Sequence, residues 1–163
     1  QYLPDWRPGR DYRQTVTAGV GGGVLLELSH ELDLVNWLLG PSIVLFGKAL
    51  RTGNLDMERE DLAIGVLELP DGGLVGLELN CLDRVQNRTF TVTTSEHFLQ
   101  LDLITGSLTI DGDTAFAGPV DRNDTFASMH KAVVRGEPGP CSTTEAMTVL
   151  EQTDQLRGDW GSS

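Results

Sequence analysis

The stretch from Gly21 to Gly40 limits the fold of this chain more than any other. Three glycines precede Val24, and Gly40-Pro41 follows Leu39. Glycine readily supplies the residue that caps a helix, and proline cannot continue the helical ladder. The spacing therefore predicts one helix between two firm boundaries. At helical pitch Val24, Leu28, Leu32, Val35 and Leu39 form an apolar stripe, while Leu26, Leu34 and Trp37 lie well off it. A helix that is apolar on two sides is mostly buried, so the rest of the chain must cover it. On that helix Glu27, His30 and Asp33 follow at intervals of three, which places carboxylate, imidazole and carboxylate on neighbouring turns.

Ionisable groups among leucines need partners, and three readings of this triplet stay open. It is a structural hydrogen-bonded or capping set, as buried polar groups usually are. Alternatively, His30 is a catalytic proton acceptor oriented by a carboxylate at the edge of a pocket. A metal site is the weakest of the three, because Leu34 stands where the H-E-x-x-H zinc pattern needs its second histidine.

The chain has 163 residues, the size of one ordinary domain and short for a two-domain enzyme. It opens on glutamine, with no signal-peptide pattern, and reads as a cut piece. No apolar run approaches the roughly 18 residues of a membrane span. Cys81 and Cys141 lack zinc or redox-motif spacing, which fits reduced thiols and a cytoplasmic location. With 24 acidic against 12 basic residues there is no basic stripe to track phosphates, and nucleic acid is disfavoured as a partner.

Residues 1–20 read as an extended N-terminal arm: two prolines, aromatics beside arginines, and no sustained period. The segment is either a frayed terminus or a ligand-binding arm. In the second case Trp6, Arg7, Tyr12 and Arg13 are the candidates, since guanidinium forks hold phosphate or carboxylate and aromatic faces stack on rings. The glycines from Gly19 to Gly23 do not form a dinucleotide loop, because Val24 replaces the last glycine of G-x-G-x-x-G and no buried strand precedes them.

After the helix, Ile43 to Leu50 reads as a strand, and Leu62 to Leu69 and Leu74 to Leu79 flank Pro70-Asp71-Gly72-Gly73 in a hairpin. Both hairpin strands are too apolar for either face to remain fully wet. Alternation over Asn87 to Thr94 and Phe98 to Leu103, then turns at Thr105-Gly106 and Asp111-Gly112-Asp113, predicts a meander continuing the same antiparallel sheet to Ile110. His97, in a turn, and His130, in a later helix, read as surface or structural histidines. Asn123-Asp124-Thr125 caps a helix ending near Arg135-Gly136. After a loop over Gly136 to Pro140, Ser142-Thr143-Thr144-Glu145 is a capping box that opens the last helix. Residues 21–157 thus form one domain, and 158–163 a tail.

The glycine run, the aliphatic pair, Glu27, His30, Asp33 and Trp37-Leu38-Leu39-Gly40 together resemble the helix that opens the C-terminal domain of the glucose-fructose oxidoreductase and inositol dehydrogenase (Gfo/Idh/MocA) family. Leu3-Pro4-Asp5-Trp6-Arg7-Pro8 and Asp11-Tyr12-Arg13 resemble the lead-in of members associated with sugar-nucleotide and surface-polysaccharide metabolism, and Asn123 to Leu156 resembles the closing helix pair. There is one departure: the family pattern has an aspartate four residues before the histidine, where this chain has Glu27 three before His30.

The resemblance implies an α+β domain, an open, mainly antiparallel sheet with helices packed on one face, of the dihydrodipicolinate-reductase-like kind, with no Rossmann domain in this chain. It implies NAD or NADP in the intact protein, bound mainly by a missing N-terminal Rossmann domain, with no metal. It also implies a sugar or nucleotide-sugar substrate, with Trp6, Arg7, Tyr12 and Arg13 lining its pocket. His30 is the proton acceptor, oriented by Glu27 or Asp33, and the sheet face supports a homo-oligomer. The fragment alone is expected to be inactive. The alternative is a non-catalytic binding or dimerisation module of the same fold.

Overall fold

The sequence signals resolve into two units in the computed structural model, which describes residues 2–118, 121–137 and 141–158. The first comprises Gln1–Val85 with Ser142–Ser163, and the second Gln86–Cys141.

In the first unit, single 3-10 turns at Leu3–Asp5, Tyr12–Gln14 and Val16–Ala18 lead into helices α1 (Val24–Glu27) and α2 (Ser29–Leu39). Strands β1 (Ile43–Leu50), β2 (Leu62–Glu68) and β3 (Leu74–Asn80) form an antiparallel sheet in that order. Helix α4 (Thr143–Arg157) returns to pack on β1 and β2. Its start is the expected capping box: Glu145 N donates to Ser142 Oγ at 3.2 Å, and Ser142 N donates to Glu145 Oε2 at 2.7 Å.

The face of the sheet under α4 is built from small and aliphatic residues, Ala49, Ala63, Leu67 and Leu79, which are buried with Leu25, Leu32 and Leu156. Each fully buried leucine contributes roughly 1.5–3 kcal/mol. Gly47 and Gly65 face each other across β1 and β2, and α4 sits directly on them. A Cβ on Gly47 would lie 2.4 Å from Leu156 Cα, and one on Gly65 would lie 2.2 Å from Leu156 Cδ2. A polar clasp adds to this packing: Gln152 Nε2 donates to the Ser42 carbonyl at 2.7 Å, and Asn36 Nδ2 donates to Gln152 Oε1 at 2.8 Å, joining α2 to α4.

The hairpin between β2 and β3 forms as expected. Leu69 N donates to Gly73 O at 2.8 Å, and the Asp71 side chain accepts from Gly73 N at 3.0 Å. The opposite face of the sheet bears Phe46, Leu50, Ile64 and Leu74, all exposed.

Two expectations need correction. The helix between Gly21 and Gly40 is not continuous: Leu28 leaves the helical region at φ −105°, ψ 21°, so a one-turn helix ends at Glu27 and a second begins at Ser29. The Ser29 hydroxyl donates back to the Leu26 carbonyl at 2.9 Å, using an acceptor the α-helical ladder would otherwise extend from. Nor does one sheet run from Ile43 to Ile110. The strands divide into a three-stranded and a four-stranded sheet, because the segment after Asn80 makes turns and an unpaired stretch before pairing resumes at Thr89.

In the second unit β4 (Thr89–Thr93), β5 (Phe98–Asp102), β6 (Ser107–Ile110) and β7 (Asp113–Ala117) pair as an antiparallel meander. Strand β7 was not anticipated, since Asp111-Gly112-Asp113 reads as a turn and the strand beyond it is exposed throughout. His97 is on the surface, as expected, with Nδ1 2.7 Å from Asp111 Oδ2. Helix α3 (Arg122–Arg135) starts earlier than its sequence signal, because the cap is Asp121, whose carboxylate accepts from Asn123 N at 2.8 Å. Gln1, the last three residues (138–140) of the loop read over Gly136 to Pro140, and the tail beyond Gly158 lie outside the described residues.

Candidate functional site

The segment read as an extended arm is folded against the first unit. Leu3 is buried, and its N–H donates to the Cys81 carbonyl at 2.9 Å. The Tyr12 hydroxyl accepts from Asp56 N at 2.9 Å, and the Glu58 N–H donates to the Ala18 carbonyl at 2.8 Å. Arg84 lies 3.5 Å over the Tyr2 ring, a cation–π contact. These anchors hold Trp6 to Thr17 around two adjoining concavities. Arg7, Arg10, Thr15 and Thr17 line both. One is completed by Leu3, Pro4, Trp6 and Tyr12, the other by Gly9, Asp11, Gln14, Val16 and Glu27.

Three of the four arm residues expected to bind substrate, Trp6, Arg7 and Tyr12, thus share a wall. Arg13 lines neither hollow. Its Nε and Nη2 fork onto Asp11 at 2.8 and 2.7 Å, and these bonds hold the Asp11 carboxyl below its usual range. Arg10 was missed, although it stands three residues from both Arg7 and Arg13. The turn closed by Arg10 N donating to Arg7 O at 3.1 Å puts Arg10 beside Arg7.

The helix triplet is distributed differently from a regular helix. Glu27 faces the polar hollow and accepts from the Thr17 hydroxyl at 2.9 Å. His30 has an exposed side chain outside the lining of either hollow, and its Nε2 lies 3.2 Å from Glu31 Oε1. Glu31 directly follows His30 in the sequence, where helical spacing gives no signal that the two side chains meet. Asp33 is half-buried on α2 and is itself engaged.

Beneath the glycine run lies a pair absent from the sequence reading. Glu60 and Asp61 are both fully buried. Asp61 accepts from the Thr52 N–H and hydroxyl at 2.9 and 2.8 Å. Glu60 has no hydrogen bond to either carboxylate oxygen among the described residues, and Arg157 Nη2 lies 3.7 Å from Oε1.

Gly23, at φ 108°, sits against this carboxylate, and a Cβ there would fall 2.4 Å from Glu60 Oε1. A Cβ on Gly22 would fall 2.1 Å from the Val16 carbonyl. The glycines therefore serve close internal packing and leave no cradle for a pyrophosphate. Among the described residues, the close packing at Gly22 and Gly23 does not fit the pyrophosphate of a nicotinamide dinucleotide. Among the described residues no group of three or more His, Cys, Asp or Glu could hold a metal ion, and no helix is long and apolar enough to cross a membrane.

No protein-family model matches the chain, and no curated protein matches it. Solved structures do share its fold. D-galactose-1-dehydrogenase from Rhizobium etli superposes with a TM-score of 0.71 at 16% identity, over 94% of this chain and 48% of that one. UDP-N-acetylglucosamine 3-dehydrogenase GnnA from Acidithiobacillus ferrooxidans gives 0.69 at 18%, over 82% and 46%. The WlbA dehydrogenase from Bordetella pertussis, in complex with NADH and UDP-GlcNAcA, gives 0.57 at 19%, over 80% and 40%. The chain spans about half the length of these dehydrogenases, and the α+β fold implied by the sequence resemblance is the fold they share with it.

Proposed function

We propose that this chain is the substrate-holding and proton-accepting part of an NAD(P)-dependent oxidoreductase that acts on a hydroxyl or keto group of a sugar or sugar nucleotide. The observation that carries this reading is the double hollow walled by Arg7, Arg10, Thr17 and Glu27, in a fold shared with sugar and nucleotide-sugar dehydrogenases. The hollow offers donors and an acceptor for hydroxyl groups, with Trp6 and Tyr12 as apolar walls. His30 takes the hydroxyl proton: its imidazole is open to solvent, and its Nε2 lies 3.2 Å from Glu31 Oε1. Asp33, one turn along α2, completes the acidic surroundings. The redox half of the reaction belongs to a nicotinamide-binding part outside this chain, so the chain alone neither binds NADH nor turns over substrate.

The test joins the chain to such a nucleotide-binding half. His30→Ala should lower hydride transfer about 10²- to 10⁴-fold, the usual worth of general-base help, with cofactor affinity unchanged. An unchanged rate across neutral pH, or tight NADH binding by the chain alone, would overturn the proposal.

A second reading, a dimerisation module, draws on the exposed Phe46, Ile64 and Leu74 of the open sheet face. A homo-oligomer through that face is compatible with both readings, and only the hydride-transfer measurement separates them.

A further inference from the structure

We infer that the outer face of α2, bearing His30, Leu34 and Trp37, is the surface on which the nicotinamide-binding half docks, with the Trp37 ring as its anchor. The inference rests on the proposed proton-accepting role of His30 and adds to it a place of docking.

A helix apolar on two sides needs two covers, and α2 has one. It buries Leu32 and Val35 and packs on α4. On the opposite side His30, Leu34 and Trp37 recur at i, i+4 and i+7, so they share a face. Trp37 is 77% exposed there, and Leu38 beside it is exposed as well. Scattered surface leucines are ordinary, whereas tryptophan is highly buried on average. Covering one indole removes up to about 150–250 Å² from water, which is the contribution of an interface anchor.

His30 decides what the cover is. When the alcohol is oxidised, the O–H proton goes to the His30 ring and the hydride leaves the carbon that bears that oxygen. His30 and the hydride acceptor thus work on either side of one C–O bond, and the half that carries the acceptor closes over the face that carries His30. Trp37 stands two turns further along that face, about 10 Å by helical rise, well within one interface of ordinary size. A second copy of this chain would bring no acceptor and would seal His30 away from one. The charge of the face also selects its partner. Helix α2 carries Glu31 and Asp33, and no lysine or arginine occurs between Arg13 and Lys48. The complementary surface is therefore apolar at its centre and basic at its rim.

The test is fluorine NMR of the chain made with fluorotryptophan, alone and joined to a nucleotide-binding half. The Trp37 line is the one lost in Trp37→Tyr. A soluble gadolinium chelate should broaden that line in the chain alone and spare it in the joined protein. Trp37→Ser should leave the circular dichroism and melting of the chain alone unchanged, since the ring lies outside the core. In the joined protein it should lower hydride transfer about 10- to 100-fold, as misplacement of the reacting groups does, and Trp37→Tyr should keep part of the rate. A Trp37 line broadened equally in both proteins, or Trp37→Ser transferring hydride at the parent rate, would overturn the inference. So would protection in the chain alone through self-association that Trp37→Ser abolishes on sedimentation, because the occupant would then be a second copy. If His30→Ala slows hydride transfer while the Trp37 line stays open to the chelate, the docking surface alone is lost. If the line is protected while His30→Ala is silent, the proton-acceptor role alone is lost.

Discussion

Replacing Gly47 by alanine should weaken the first unit, and the structure gives both the sign and the size. The added Cβ would stand 2.4, 2.6 and 2.8 Å from Leu156 Cα, O and C, where ordinary contact begins at 3.4 Å. All three are backbone atoms, so no side chain can swing away: α4 itself must retreat by about 1 Å. That retreat pulls Leu156 from the core and stretches the bonds of Gln152 to Asn36 and Ser42. Overpacking of this kind costs about 1–3 kcal/mol.

The control is Gly76 on β3, where a Cβ meets nothing within 4 Å and φ is not left-handed. There alanine restricts the unfolded chain more than the folded one and should stabilise by about 0.4–1 kcal/mol. At about 2–4 °C per kcal/mol for a chain of this size, thermal melts followed by tryptophan emission, with Trp6 and Trp37 both in the first unit, should shift in opposite directions. Equal shifts for the two variants would mean that α4 does not press on Gly47.

Arg157→Met should cost about 3–5 kcal/mol, because it strands a buried Glu60 carboxylate, and adding Glu60→Gln should recover part of that; denaturant unfolding of the three proteins decides it. Burial pushes the Cys81 thiol up to about 12, so at pH 8 a thiol reagent should modify the exposed Cys141 and spare Cys81 until the chain unfolds. In linkage terms the raised folded value means stability is fully present below the unfolded value near 9.0 and is lost as pH rises towards 12. Sedimentation at high concentration should show self-association that Ile64→Lys abolishes without loss of helical signal, and a monomeric parent protein would contradict the oligomer proposed for the open sheet face.

Legibility followed how local each signal was. The capping box at Ser142 and the turn at Asp71-Gly72 depend on neighbours within a few residues, and both formed as read. The meander strands alternated clearly. The division into two sheets was invisible, because it depends on which strands find partners across the fold. The N-terminal arm misled for a related reason. Short 3-10 turns have no period long enough to detect, and their anchors, Cys81, Asp56 and Glu58, lie far along the chain. Glu60 gave no sign of its burial, since an acid in a polar stretch is ordinarily solvated.

The break at Leu28 matters most for chemistry. In a continuous helix Glu27 and His30, three apart, would face the same way and compete for one role. With the helix interrupted between them, Glu27 meets Thr17 in the groove while His30 stands outside it beside Glu31. Under the proposed function the acid then serves ligand binding and the imidazole proton transfer. This division predicts a split in steady-state constants for the chain joined to a nucleotide-binding half. Glu27→Gln removes charge from a group that holds the ligand equally in ground and transition states, and should raise KM with little change in kcat. His30→Ala removes a group needed only as the proton moves, and should lower kcat with little change in KM. If Glu27→Gln instead lowered kcat as far as His30→Ala does, with KM unmoved, the two residues would act as one unit and the interruption at Leu28 would have no such consequence.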